Sequence, residues 1–324
     1  MSNPRREEMF QTGMSSPISS MSIVIGDAVK ARCSACCPFC VSKTTNALGI
    51  SANGIDQHRI NWDTVIPKLK AACRFAKTSG VTNIVLTGRG EPTLYQDEID
   101  RYLEELAPYE FPFIELQTNG IEIYNGYNGG VNREGSNSHI SIIDTIYEWR
   151  IMGLTHIAIS MVHWDKDVNN KIYGSKVPVD LEDLFSNLDR DGFSVRACLL
   201  LMKEYVDSVD DFNKVVALCN SWGARQLKVA SIARPSHSEN EAIAKWIENH
   251  LPEHAQEIID HVIDNGHYLR TLPHGAPIFD YKGLSVCLAT CMPKINHAGN
   301  GMQPIFWPNG SLTYSWEWQG AVLM

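Results

Sequence analysis

No run in the 324-residue sequence approaches the ~20 consecutive apolar residues that a membrane span needs. The polar start Met1-Ser-Asn-Pro-Arg-Arg-Glu-Glu-Met9 also lacks the apolar centre of a secretion signal. Both absences point to a cytoplasmic protein without a membrane partner. Basic residues are scarce: 28 Lys+Arg stand against 37 Asp+Glu, a net charge of −9. That balance opposes nonspecific adhesion to nucleic acid or anionic lipid, although it leaves a local basic pocket and a nucleic-acid substrate open. Repeats and low-complexity tracts are missing, which argues against a solenoid or a mainly disordered chain. What is present is ample apolar material: 44% hydrophobic residues at this length suit one large domain with an appendage, or two domains. Nine cysteines in a reducing compartment read as ligands or small apolar core side chains rather than a disulfide framework.

Residues 1 to 20 are polar, with Gly, Ser and Pro, and read as a flexible arm. An alternation of two periods follows. Short apolar or β-branched runs at Ser22–Ile25, Asn83–Leu86, Phe113–Leu116, His156–Ile159, Val195–Leu200 and Gln226–Val229 read as strands. Between the first two, Trp62, Val65, Ile66, Leu69, Ala72, Cys73 and Ala76 recur at three- and four-residue steps, and Gly80 supplies a stop. Ser208 and Asp211 form a capping box before Phe212, Val215 and Val216, and Gly223 ends that helix. Strand, helix and strand in turn imply parallel pairing through right-handed crossovers. The expected fold class is therefore α/β, an open, partial (β/α)6 barrel over residues 21–235, with reactive groups at the carboxyl ends of its strands. Residues 236–324 read as a separate C-terminal extension covering the barrel. It comprises a long charged helix from Glu239 to Asn265 and a hairpin turning at Asn309-Gly310. The Gly/Asn-rich stretch from Tyr124 through Asn137 reads as a lid or an insertion.

The sharpest chemical signal is Cys33, Cys37 and Cys40, spaced C-x3-C-x2-C on the loop after the first strand. Soft thiolates suit iron–sulfur clusters, and three of them leave one iron of a [4Fe–4S] cluster free for a bidentate small molecule. A zinc site or buried free thiols are the alternative readings, although structural zinc normally takes four protein ligands. Cys36 falls outside the spacing. With Phe39 before the last cysteine, this stretch resembles the cluster motif of the radical S-adenosylmethionine (radical SAM) superfamily.

The resemblance extends along the strand ends, over roughly residues 22 to 235. Thr87-Gly-Arg-Gly-Glu-Pro-Thr93 is similar to the superfamily's Gly-Gly-Glu-Pro element, which implies that Gly88, Gly90, Glu91 and Pro92 bind the cofactor, Glu91 through its ammonium group. Gln117-Thr-Asn-Gly120 is similar to the family's third-strand ending and implicates Thr118 and Asn119. Ser160 and Arg196 are carried over by position on the fourth and fifth strands. Arg89 and Lys228 read as facing either substrate or solvent. The resemblance implies two cofactors, a [4Fe–4S] cluster and S-adenosyl-L-methionine. It implies an enzyme in which a one-electron reduced cluster cleaves S-adenosylmethionine to a 5′-deoxyadenosyl radical that removes hydrogen from substrate. It also implies an electron donor such as flavodoxin or ferredoxin.

Beyond the barrel, Cys287 and Cys291 suggest an auxiliary metal site, to which His274 or His297 would add a ligand. His163-Trp164, Arg234 and the aromatics Trp307, Tyr314, Trp316 and Trp318 read as a pocket for a flat substrate or as the core of a small hairpin. The substrate expected is a small, nucleotide-like molecule. RNA, a peptide, and a non-catalytic iron–sulfur or zinc module are the competing readings.

Overall fold

The computed structural model describes residues 18–27, 31–44, 60–129, 142–234, 238, 240–273, 275–289, 303–316 and 321–324. Six parallel strands form its centre: β1 (Ser20–Val24), β2 (Asn83–Thr87), β3 (Phe113–Thr118), β4 (His156–Met161), β5 (Ser194–Leu201) and β6 (Gln226–Ser231). They lie side by side in chain order, each paired with the next. Sequential order is what a strand–helix chain gives when every crossover returns in the same sense. The result is the partial (β/α)6 barrel expected from the sequence.

Alternation along the strands separates the two faces. On β5, Val195, Ala197, Leu199 and Leu201 are buried, while Arg196, Cys198 and Leu200 on the other face are half-buried. The buried face packs on the helices α2 (Trp62–Thr78), α3 (Gln96–Leu106), α5 (Ile142–Ile151), α7 (Leu181–Arg190) and α8 (Val209–Ser221), whose apolar stripes share one core with the strands. The capping box of α8 forms as expected: Ser208 Oγ accepts from the Asp211 N–H at 3.1 Å and donates to Asp211 Oδ2 at 2.7 Å. Gly80 and Gly223 follow their helices with positive φ, the left-handed conformation in which glycine has no Cβ penalty.

Three expectations change. The Gly/Asn-rich stretch after β3 begins as a helix, α4 (Ile121–Tyr127), and its part from residue 130 onward lies outside the described residues. The long charged helix is two helices, α9 (Glu241–Asn249) and α10 (Ala255–Asn265). Pro252 breaks the run because it donates no backbone hydrogen bond, and Asp207 accepts from Glu253 N and His254 N at 2.9 and 3.0 Å to start the second helix. The tail, finally, does not stand apart from the barrel sheet. Strands β7 (His267–Thr271), β8 (Pro277–Tyr281) and β9 (Leu284–Leu288) continue it beyond β6, β9 pairing with β6 in parallel. At the opposite edge β10 (Ile305–Phe306) pairs in parallel with β1, and turns at Asn309-Gly310 into β11 (Leu312–Thr313). Eleven strands thus form one sheet among the described residues. The expected arm reaches β1 at Ser20, and residues 1–17 lie outside the described part.

Two further helices complete the barrel mouth: α1 (Val41–Thr44), directly after the three cysteines, and α6 (Lys166–Tyr173), after β4.

Candidate active site

The loop carrying Cys33, Cys37 and Cys40 leaves the carboxyl end of β1 and is fastened from several sides. The Glu91 N–H donates to the Arg32 carbonyl at 2.8 Å, and the Cys36 N–H donates to the Tyr173 carbonyl at the end of α6 at 2.6 Å. Past Cys40, the Ser42 hydroxyl donates to the Arg89 carbonyl while Arg89 Nη2 returns a bond to the Ser42 carbonyl at 3.1 Å. Arg89, which the sequence left facing substrate or water, is therefore a clamp on α1. Its half-buried guanidinium is pulled below its ordinary range by burial. Phe39 packs against Tyr173 and Trp246 of α9, with ring centroids 6.4 and 6.0 Å apart. These side chains belong to a small second apolar cluster with Val162, Met202 and Ile232, the residues just beyond β4, β5 and β6. The loop thus bridges the mouth from β1 to the strands opposite.

The glycines of the Gly-Arg-Gly-Glu-Pro turn have a clear steric reason. A Cβ on Gly90 would lie 2.0 Å from the Arg32 carbonyl oxygen, and one on Gly88 would lie 2.8 Å from the Ile25 carbonyl oxygen. The backbone they admit is that of the cysteine loop and of its root. Pro92 opens a short 3-10 turn, where its missing N–H costs nothing. Glu98 of α3 supports the same root by accepting from Gly26 N at 2.8 Å, and burial pushes its carboxyl up to about 7.

Glu91 is 2% exposed and joins two strand ends. Its Oε1 accepts from Thr93 N at 3.1 Å, Thr93 Oγ1 at 2.7 Å and Thr118 Oγ1 at 2.6 Å, while Oε2 accepts from Asn119 N at 2.8 Å. Burial pushes the carboxyl above its usual range against these four bonds, which pull it down. Asn119, so placed, aims its Nδ2 at Cys33 Sγ at 3.6 Å and at Ser34 Oγ at 3.4 Å. The Ala35 N–H also approaches Cys33 Sγ, at 3.4 Å. Burial raises the Cys33 thiol and pushes the Cys37 thiol up to about 12. Cys36 sits apart, its Sγ 3.4 Å from Lys43 Nζ.

These residues fit an iron–sulfur cluster in two respects: the donor set is soft thiol sulfur, and Cys33 Sγ has N–H donors of the kind that tune cluster sulfurs. Among the described residues no three His, Cys, Asp or Glu side chains converge tightly enough to hold a single metal ion. Thiolates that each take a different iron of one cluster have no need to meet at a point.

The interior face of the barrel is polar. Arg196 pairs with Glu115 of β3 and donates from Nε to Gln226 Oε1 at 2.8 Å, and Gln117 Nε2 donates to Glu115 Oε1 at 3.2 Å. The guanidinium is thus neutralised within the wall. One level nearer the mouth, Ser160, Cys198, Lys228 and Cys287 stand in register across β4, β5, β6 and β9. Cys287 belongs to this interior row, near Cys198, and burial raises both thiols, that of Cys198 to about 11. Cys291, His274 and His297 lie outside the described residues, as does Trp318. Of the aromatics weighed for a flat substrate, Trp307 is the hairpin's core: it is 2% exposed, donates to Thr313 Oγ1 at 2.8 Å and meets Trp316 at 5.2 Å. His163 stacks on Trp164, which Lys214 covers at 4.5 Å. Arg234 pairs with Glu248 of α9.

No protein-family model matches the sequence, and no curated protein matches it. Solved structures do. SuiB from Streptococcus suis superposes over 91% of this chain and 60% of its own, with a TM-score of 0.50 at 14% identity. SuiB bound to S-adenosylmethionine matches over 76% of this chain and 45% of its own, TM-score 0.43 and 16% identity. The Escherichia coli coproporphyrinogen III oxidase HemN, a radical SAM enzyme, matches over 82% of this chain and 55% of its own, TM-score 0.43 and 15% identity. The chain spans about half the length of the SuiB structures that it matches. The likeness to SuiB at this identity is a likeness of fold, and the fold of this chain is that of SuiB over nine-tenths of its length.

Proposed function

We propose that the chain is a radical SAM enzyme acting on a small molecule. The observation that carries the reading is the convergence of three cysteines, Glu91, Thr118 and Asn119 at one barrel mouth, with Asn119 Nδ2 aimed at Cys33 Sγ. Cys33, Cys37 and Cys40 would hold a [4Fe–4S] cluster; with S-adenosylmethionine at its open iron, that group supplies one-electron cleavage of the sulfonium and hydrogen abstraction from substrate.

The protein's own work is positioning and exclusion of water. Gly88 and Gly90 let the loop after β2 press on the cysteine loop, and Arg89 and Ser42 close its far end. Glu91 locks the ends of β2 and β3 together, and its Oε2, with a single hydrogen bond, is the oxygen left to meet an ammonium group. Thr118, Asn119 and Ser160 are the polar groups that we assign to the cofactor. Arg196, spent on Glu115 and Gln226, shapes the interior wall. Phe39, Tyr173 and Trp246 cover the Cys37 side of the loop, while Cys33 stays exposed. A one-electron donor protein of ferredoxin or flavodoxin type completes the system.

The test is anaerobic reconstitution with iron and sulfide, followed by strong reductant and S-adenosylmethionine. Methionine and 5′-deoxyadenosine in equal amounts are expected, and both disappear in Cys37→Ala. Reconstituted protein that leaves S-adenosylmethionine intact, and whose reduced paramagnetic signal the compound does not perturb, would overturn the reading in favour of a non-catalytic metal module.

A further inference from the structure

We propose that Lys228 is an anion-binding residue that holds a carboxylate or phosphate group of the substrate against the interior wall below the cysteine loop. The word substrate rests on the reading above; the anion site itself does not. Lys228 alternates with the buried Leu227 and Val229 on β6, so it stands half-buried on the face that lines the barrel. Its neighbours in register are Cys198 on β5 and Cys287 on β9. Among the described residues it makes no hydrogen bond or ion pair, and the flanking thiols are uncharged at neutral pH.

The carboxylates near this wall are engaged elsewhere. Glu115 is taken by Arg196 and Gln117, and the exposed Asp280 on β8 accepts from Gly283 N at 3.0 Å in the β8–β9 turn. Cations, by contrast, gather: with Arg196 neutralised by Glu115, Arg270 on β7 still stands in the same row as Lys228, through Ile278 on β8 and Cys287 on β9. A positive patch inside a chain of net charge −9 is a local concentration, not a reflection of composition. Partial burial of an ammonium costs free energy unless an anion meets it, and a charge-assisted bond to carboxylate or phosphate offsets that cost.

Position separates this site from the cofactor's. Asn119 follows Thr118, whose partner on β4 is Ile159, so Asn119 and Ser160 stand at one height, in the row that continues to Lys228. Three strand spacings then put Lys228 about 14 Å along the sheet from Asn119, and two put it about 10 Å from Ser160, the nearest residue assigned to the cofactor. Glu91, Thr118 and Asn119 gather on the β2–β3 side, whereas Lys228 lies on the β6 side, leaving a small molecule to bridge the interior with its charged end anchored there.

The experiment uses the full chain without cluster. Reductively methylated protein carrying 13C on its lysines is titrated with inorganic phosphate, and separately with succinate, and the Lys228 signal is assigned by its absence in Lys228→Arg. Movement of that signal at millimolar anion is expected, together with at least tenfold weaker phosphate binding in Lys228→Met and binding within threefold of wild type in Lys228→Arg. A Lys228 signal that does not move overturns the proposal, and it does so in wild type, whether or not Lys228→Met folds. In a second arm S-adenosylmethionine affinity is measured on reconstituted protein. Values within twofold of wild type in Lys228→Met support a substrate site, whereas a tenfold loss gives the lysine to the cofactor's carboxylate and overturns the assignment. Reconstituted wild type that cleaves no S-adenosylmethionine removes the enzyme reading and leaves the phosphate result standing.

Discussion

Gly90 shows how much of the site rests on a residue without a side chain. An alanine there would set its Cβ 2.0 Å from the Arg32 carbonyl oxygen, which is backbone and cannot rotate away. Gly90→Ala must therefore separate the loops after β1 and β2 and break the 2.8 Å bond from Glu91 N to Arg32. We expect a loss of about 2 kcal/mol in urea unfolding, and reconstituted protein holding less than half the wild-type iron. Wild-type iron content with unchanged stability would show that the close approach is dispensable. The cysteine spacing, Glu91 and Asn119 stood out in the sequence because the motifs that carry them, C-x3-C-x2-C, Gly-Arg-Gly-Glu-Pro and Thr-Asn-Gly, set particular residue types at particular spacings. Arg32, Ser42 and Tyr173 were not. Each accepts through its main-chain carbonyl, with the Ser42 hydroxyl and the Tyr173 ring adding to it, so no residue type announces them. Lys228 was visible but ambiguous, since a single strand lysine reads alike for either face until its register is known.

At the scale of elements, α9 serves the cysteine loop although 200 residues separate them in sequence. Trp246 reaches across to Phe39, and His250 stacks on Trp246 at 3.7 Å. Removing the indole withdraws an aromatic contact worth about 1 kcal/mol beyond its buried area. Trp246→Ala should therefore raise the alkylation rate of Cys37 in cluster-free protein several-fold, read by mass spectrometry of the loop peptide. A rate equal to wild type would mean that Tyr173 alone holds Phe39. Helix α8 could be drawn from sequence because period, cap and stop agree, and α2 because period and stop agree. The α9–α10 region could not, because helical periodicity of charge runs across Pro252, and the cap that restarts the helix comes from Asp207, far back in the chain.

At the scale of the molecule, the six central strands followed from alternation and crossover rules, but the sheet's two edges did not. A two-residue strand such as Ile305–Phe306 carries no periodic signal, and its parallel pairing with β1 is a long-range choice made by burial: Phe306 is fully buried and meets Tyr102 at 6.5 Å. A chain ending at residue 302 would leave β1 as an open edge beside an apolar gap. It should form large aggregates by light scattering at concentrations where the full chain stays disperse. Dispersal equal to the full chain would show that the hairpin is ornamental to the sheet.

The same arrangement bears on how the protein comes into being. Both edges of the barrel sheet are finished by the last third of the chain, β9 against β6 and β10 against β1. A ribosome delivers β1 about 280 residues before its edge partner β10, so over that interval the nascent barrel exposes one unfinished flank. The strand order itself thus leaves β1 an open edge until the segment around Ile305 has emerged.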